Sequence, residues 1–257
     1  MTKMRTALIC GASKGIGRAT AHELAKQGHK LHLLARNSEN LETTANECLN
    51  FGAKKVRIWP VNLEIADDLQ FVLNKVLEKG PVEILINNAS GPPAGPLIDA
   101  SVDEMINGLN RHLFASHYCV QACIAGMIQK EWGRIINIIS TSVKEPIENL
   151  GVSNTIRGAV ASWSKSLNLE LPGYITINNV LPGFTNTERL SSLSKQISEQ
   201  RGITSEDVKE AWIKQVPLGR LIEPTETAAI IGFLCSELGS SIRGVSLPVD
   251  GGRLRSI

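Results

Sequence analysis

Residues 5–17 read Arg-Thr-Ala-Leu-Ile-Cys-Gly-Ala-Ser-Lys-Gly-Ile-Gly, and this stretch decides the fold. A short apolar run, Ala7 to Cys10, meets Gly11, Gly15 and Gly17 at once. A helical pattern starts at Ile16, with Ala19, Leu24 and Ala25 apolar. Strand, glycine turn and helix start fall within thirteen residues. Glycine lets the backbone turn tightly and come close to a pyrophosphate. The helix N-terminus behind it offers free N–H groups and partial positive charge.

The spacing is Gly11-x3-Gly15-x-Gly17, with Ser13 and Lys14 inside it. An ordinary strand-to-helix turn also carries glycines, so the context has to decide. A second strand at 30–35 completes a βαβ unit, the setting a dinucleotide site requires. That strand ends in Arg36-Asn37. An acid about twenty residues past the glycines binds the ribose 2′-hydroxyl of NAD, whereas an arginine accommodates a 2′-phosphate. Here the acid is missing and Arg36 stands in its place, with Lys14 adding a second cation. These residues favour NADP(H) over NAD(H).

With 257 residues, one large α/β domain is as compatible as two small ones. The 42% hydrophobic fraction fits a globular protein, and a net charge of +2 points to neither nucleic acid nor an anionic membrane. The longest apolar runs, such as 135–139, are too short to span a bilayer. Residues 1–5 lead directly into the first strand, leaving no room for a signal peptide. Cys10, Cys48, Cys119, Cys123 and Cys235 are scattered and odd in number, so they read as buried apolar side chains rather than disulfides or metal ligands. The expectation is a cytoplasmic protein without a metal.

Helical patterns at 15–28, 39–51, 65–79, 102–130 (broken near Gly108), 154–171 and 224–239 alternate with strand patterns at 30–35, 56–61, 82–86, 135–139, 175–181 and 245–249. A helical excursion over about 186–216 has no strand of its own and is read as a substrate lid, with Trp212 in the pocket. No repeat, low-complexity segment or linker divides the chain. Strict alternation means a single α/β domain over 1–257, a doubly wound Rossmann-type parallel sheet with helices on both faces. Right-handed crossovers favour the order 3-2-1-4-5-6-7. Ligands bind at the carboxyl ends of such strands, and residues 11–17, 36, 62, 87–90, 140–142 and 182–187 all fall there.

The glycine loop, Asn87-Asn88-Ala89-Ser90, Gly133-Arg134-Ile135-Ile136-Asn137, Pro182-Gly183 and Val249-Asp250-Gly251-Gly252 together resemble the short-chain dehydrogenase/reductase family over the whole chain. Within it, the sequence is most similar to the 3-oxoacyl-thioester reductase branch. The resemblance implies hydride transfer between a nicotinamide and a carbonyl carbon. It places the cofactor against Gly11, Ser13, Lys14, Gly15, Ile16, Gly17, Arg36 and Asn37. It adds Asn62 and Leu63 at the adenine, Asn88 and Ala89 beyond the fourth strand, and Pro182, Gly183, Thr185 and Thr187 at the nicotinamide end. The two long helices resemble those that pack subunits into homodimers or homotetramers, with a small carbonyl or acyl-thioester substrate as the other partner.

The catalytic positions implied are an Asn, a Ser, a Tyr and a Lys. Asn110 and Ser140 match the first two. The Tyr position is Ser153 and the Lys position is Arg157, a register supported by Gly158-Ala159-Val160. The chain has only two tyrosines, Tyr118 and Tyr174, neither well placed. A phenol titrates near ~10 and a nearby cation brings it towards neutrality, whereas an aliphatic hydroxyl is a far weaker acid. Arg157 can still bind ribose hydroxyls or a substrate anion. Candidate replacement donors are Lys144, four residues beyond Ser140, and a water held by Ser140, Asn110 and Ser153. Two readings follow: an oxidoreductase with an atypical proton donor, or a catalytically impaired NADP(H)-binding protein that acts through partners. His112 and His117 read as packed residues or subunit contacts on the long helix.

Overall fold

The computed structural model describes residues 3–256. Met1 and Thr2, at the start of the segment read as leading into the first strand, and Ile257, the expected domain end, lie outside them. The strands are β1 (Thr6–Cys10), β2 (Lys30–Ala35), β3 (Lys55–Pro60), β4 (Ile84–Asn87), β5 (Gly133–Ile138), β6 (Ile175–Pro182) and β7 (Ser246–Val249). They form one seven-stranded sheet in the order 3-2-1-4-5-6-7, every neighbouring pair parallel. Helices α1 (Gly15–Lys26), α2 (Ser38–Asn50), α3 (Ala66–Leu77), α4 (Val102–Leu109), α5 (Ala115–Gln129), α6 (Gly151–Glu170), α7 (Glu188–Arg201), α8 (Ser205–Ile213) and α9 (Pro224–Leu234) follow in chain order. None is long and apolar enough to cross a membrane among the described residues.

The central strands are buried on both faces, as β1, β4 and β5 show. One core joins Ile9, Leu33 and Ile86 to Leu24 of α1 and Ile231 of α9. The other joins Leu8, Leu85 and Ile135 to Leu73 of α3 and Cys119, Cys123 and Met127 of α5. All five cysteines are free and buried. Burial pushes the thiols of Cys48 and Cys235 up to about 12, so they pack as apolar groups.

The structure departs from the sequence pattern in three places. The break expected near Gly108 is a π-helical turn at Asn110–Phe114. Gly108 instead brings two helices together: a Cβ there would lie 3.0 Å from Ile156 and 3.4 Å from Val152 of α6. Helix α6 starts at Gly151 rather than 154, because Gly151 packs on the backbone of Leu97, where a Cβ would come within 2.6 Å. This earlier start puts Ser153 in the first turn. Helix α9 stops at Leu234, and Ser236 Oγ accepts from Leu238 N–H (3.1 Å) to begin a separate 3₁₀ turn at Glu237–Gly239.

A buried asparagine ladder crosses the sheet. Asn87 donates to Asn137 (2.8 Å), Asn137 to Asn179 (2.9 Å) and Asn179 to Ser246 (3.1 Å). These residues are direct cross-strand partners on β4, β5, β6 and β7. A one-residue slip of any strand would leave buried amides unpaired, so the ladder fixes register where the cleft opens.

His29 and His32 are two of the buried histidines that make stability depend on pH. His32 Nδ1 accepts from Trp59 Nε1 (2.9 Å), and His29 Nδ1 accepts from the Arg5 backbone N–H (3.2 Å). Burial, helped by Arg57, lowers His32 to about 4. Burial, opposed by Glu83 and helped by Arg5, lowers His29 to about 4. The unfolded chain binds these protons near 6.5, so the stabilisation is complete above pH 6.5 and is lost as pH falls towards 4. Each ring removes at most about 1.4 kcal/mol per pH unit in that window. Urea midpoints should therefore fall between pH 6.5 and 5. A flat profile there would refute the neutral assignment.

Candidate active site

The carboxyl ends of the strands surround a cleft of about 570 Å³. One end is the glycine loop. Gly11 and Gly15 have φ of +62° and +53°, in the left-handed region that side chains avoid. At Gly17 a Cβ would lie 2.1 Å from the Gly11 carbonyl oxygen, so only glycine lets α1 start against β1. Asn88 Nδ2 donates to the carbonyls of Cys10 (3.3 Å) and Gly11 (3.2 Å), tying the tip of β4 to the loop. No side chain caps α1, so its first N–H groups face the cleft. This cradle fits a pyrophosphate.

Of the expected cofactor residues, Gly11, Ser13, Lys14, Gly15, Ile16, Arg36, Asn37, Asn62, Leu63, Asn88, Ala89, Pro182, Gly183, Thr185 and Thr187 line the cleft, as does Arg157. Gly17 lies behind it, buried. Several have local duties too. Asn37 Oδ1 caps α2 by accepting from Asn40 N–H (2.7 Å), and Asn62 Oδ1 accepts from Glu64 N–H (3.2 Å). Thr187 Oγ1 caps α7 by accepting from Leu190 N–H (3.2 Å). Lys14 pairs with Glu188 at 2.6 Å, both exposed, an ion pair weak enough to exchange for a phosphate. Arg36 is exposed at the end of β2.

At the other end stand Ser140, Ser153 and Arg157. Ser140 Oγ accepts from Ser142 N–H (3.0 Å), leaving its own proton to donate. Arg157 is buried. Its Nε–H donates to Ser153 Oγ (3.3 Å), and Nη1 donates to the carbonyls of Ile138 (3.3 Å) and Ile139 (2.9 Å). The guanidinium thus holds the end of β5 onto α6 and turns the Ser153 proton outward. Burial, then the charge of Arg189, lowers Arg157 to about 10, so it stays protonated at neutral pH. Phe184, Leu150, Leu190 and Leu193 give this end an apolar wall.

Other expected residues lie elsewhere. Lys144 is exposed at the end of a 3₁₀ turn and does not line the cleft. Asn110 opens the π-helical turn and also stays outside the lining. Trp212 is buried behind the cleft, its ring stacked on Phe184 at 5.4 Å, so it supports the wall rather than forming it. His112 is buried with Nε2 3.1 Å from the Ser90 carbonyl, and burial, then Arg157, holds it well below the usual histidine range. It donates to that carbonyl as a neutral ring. His117 Nδ1 accepts from Trp163 Nε1 (3.2 Å). Tyr118 packs on the α5 core and Tyr174 is exposed, so neither phenol reaches the cleft. The sequence pattern gave no weight to Arg111 and Arg189, which both line it. Their signal was present as cations beside Asn110 and Thr187.

Residues 5–198 match the model of the short chain dehydrogenase family. NADPH-dependent reductase BacG of Bacillus subtilis (strain 168) is 30% identical over 98% of this chain and 99% of its own. The 3-oxoacyl-[acyl-carrier-protein] reductase FabG of Aquifex aeolicus (strain VF5) is 31% identical over 96% of both chains. The crystal structure of YwfH, an NADPH-dependent reductase involved in bacilysin biosynthesis, superposes with a TM-score of 0.93 at 29% identity, covering 99% of this chain and 100% of that one. A variant of actinorhodin polyketide ketoreductase with NADPH superposes equally well, with a TM-score of 0.93 at 27% identity over all of both chains. The glycine loop, the strand order and these full-length matches agree: the chain belongs to the short-chain dehydrogenase family.

Proposed function

We propose that the protein is an NADP(H)-dependent oxidoreductase that interconverts a carbonyl and a secondary alcohol, with a 3-oxoacyl thioester among its candidate substrates. The observation that carries this reading is the Arg157 Nε–H bond to Ser153 Oγ, at the end of the cleft that also holds Ser140. When bound, the reduced nicotinamide supplies the hydride. The glycine loop holds the pyrophosphate, Arg36 and Lys14 meet the 2′-phosphate, and Thr185 and Thr187 lie at the nicotinamide end. The two serine hydroxyls donate to the carbonyl oxygen, and the Arg157 charge stabilises the negative charge that develops there. The resulting alkoxide is basic enough to take its proton from water, so a phenol is not required. Helices α7 and α8, with their own small apolar core of Leu193, Val208 and Trp212, form the substrate lid. Exposed Ile98, Val102, Ile106 and Phe114 around α4 support self-association as a homodimer or homotetramer.

The absence of any phenol at the cleft supports a second reading, an NADP(H)-binding protein without turnover that works through partners. NADPH oxidation with a panel of ketones, oxo acids and oxoacyl thioesters separates the two. The oxidoreductase turns over at least one of them, and Ser153→Ala lowers kcat about tenfold because Ser140 still donates. Tight NADPH binding with no turnover above background, even at high protein concentration, would favour the binder and refute the proposal.

A further inference from the structure

We infer that the substrate carries a carboxylate, held between Arg157 and Arg189; this rests on the oxidoreductase reading above. Five cations line the cleft: Lys14, Arg36, Arg111, Arg157 and Arg189. Among the described residues its carboxylates are Glu64 and Glu188, and both are taken. Glu64 pairs with Arg111 at 2.8 Å and Glu188 with Lys14 at 2.6 Å. Arg36 lies at the ribose end. Arg157 and Arg189 remain without an acidic partner among the described residues.

Arg157 is 8% exposed, and a buried guanidinium without a counter-ion is unfavourable. Two of its nitrogens are committed, Nε to Ser153 and Nη1 to the β5 carbonyls, whereas Nη2 makes no hydrogen bond among the described residues. Arg189 approaches from the first turn of α7. Its Nη2 donates to the Pro92 carbonyl (2.6 Å), which turns the guanidinium away from the glycine loop and towards the loop after β4. The two cations meet over Gly91. The point where a Gly91 Cβ would stand is 3.6 Å from Nη2 of both arginines. Both amino groups therefore flank the same face of Gly91, and a carboxylate resting against that face, outside the Cβ point, has a donor from each side and neutralises two like charges that otherwise repel.

Nη2 shares one edge of the Arg157 guanidinium with Nε, which bonds Ser153, so a carbonyl next to the carboxylate falls near the hydroxyl. The apolar wall of Phe184, Leu190 and Leu193 takes the remainder. The substrate class is an oxo carboxylate with an apolar body. In the reaction its carbonyl carbon gains a hydride from NADPH, the C=O π pair moves to oxygen, and that oxygen takes a proton from water. The products are the hydroxy acid, NADP⁺ and the hydroxide left by that water.

The test uses the NADP⁺-loaded protein and two unreactive probes, 3-phenylpropanoate and 3-phenylpropanamide, titrated calorimetrically. The carboxylate should bind at least tenfold tighter than the amide. Arg189→Ala should erase that preference and Arg189→Lys should keep part of it. Gly91→Ala, which adds a methyl at ordinary contact distance from both arginines, should crowd the anion that rests against this face and weaken the carboxylate at least tenfold. With reactive substrates, the kcat/KM preference for an oxo acid over its methyl ester should collapse through KM in both alanine variants. Equal binding of the two probes would overturn the inference. So would a loss of NADPH affinity in Arg189→Ala as large as the loss for the carboxylate. If the carboxylate is preferred but no carbonyl is reduced, the oxidoreductase reading fails and the anion site stands. Reduction of methyl esters without preference for the acids leaves the reading and sinks the anion site.

Discussion

Gly17→Ala should weaken NADPH binding by more than a hundredfold. The new Cβ would lie 2.1 Å from the Gly11 carbonyl oxygen and 2.8 Å from its carbon, both backbone atoms that no rotamer change can move. Either α1 shifts away from β1 or the loop opens. Each outcome tilts the first-turn N–H groups that would receive the pyrophosphate on the proposed reading. The same clash presses on Asn88 Nδ2, 2.7 Å from the added atom, and so breaks the link between the glycine loop and β4. A hundredfold loss corresponds to about 2.7 kcal/mol, the scale of displacing a few charge-assisted hydrogen bonds. Fluorescence titration with NADPH measures it directly. Gly28→Ala is the control: Gly28 has φ of +79°, with nothing within 4 Å of an added Cβ. It should cost stability through backbone strain and leave the NADPH affinity within a few-fold. Equal affinities for Gly17→Ala and the native protein would mean that the pyrophosphate does not sit at this loop.

Much of this was legible in residues 5–17, because a glycine with no room for a Cβ leaves a mark in the sequence that a side-chain contact does not. The strand order followed in the same way, since apolar runs buried on both faces admit only a parallel sheet with right-handed crossovers. The residues at the other end of the cleft were legible in part. The pattern located Ser140, Ser153 and Arg157, but not that Arg157 bonds Ser153 while bracing two β5 carbonyls. That arrangement depends on α6 starting at Gly151, which is set by a contact with Leu97, more than fifty residues away in sequence. Lys144 illustrates the opposite limit. Four residues from Ser140 is close along the chain, yet the 3₁₀ turn at Thr141–Val143 leaves it facing solvent. Arg189 went unweighted for a similar reason: its role comes from the loop after β4, and nothing in the local pattern near Thr187 announces that loop.

Arg157→Met should lower kcat about 10²–10³-fold while leaving a measurable rate, and the pH profile should show why. Methionine roughly fills the space but removes the positive charge and the donor to Ser153 Oγ, so one hydroxyl loses its orientation and the developing alkoxide loses a nearby cation. Losing one such preorganised donor costs on this scale. It also leaves the Ile138 and Ile139 carbonyls without their Nη1 partner, at about 1–3 kcal/mol for each buried group, offset by removal of an uncompensated buried charge. Stability should therefore change far less than activity. On the proposed reading the protonated guanidinium is the active form, so kcat should hold across neutral pH and fall only as pH rises towards about 10. Arg157→Lys keeps a charge, but an ammonium starting near ~10.4 in the same buried, Arg189-facing position is lowered by the same two causes. Its basic limb should begin at lower pH, and Arg157→Met should have no such limb. An unshifted limb in Arg157→Lys would assign that titration to another group and remove Arg157 from the chemistry, leaving it a brace between β5 and α6.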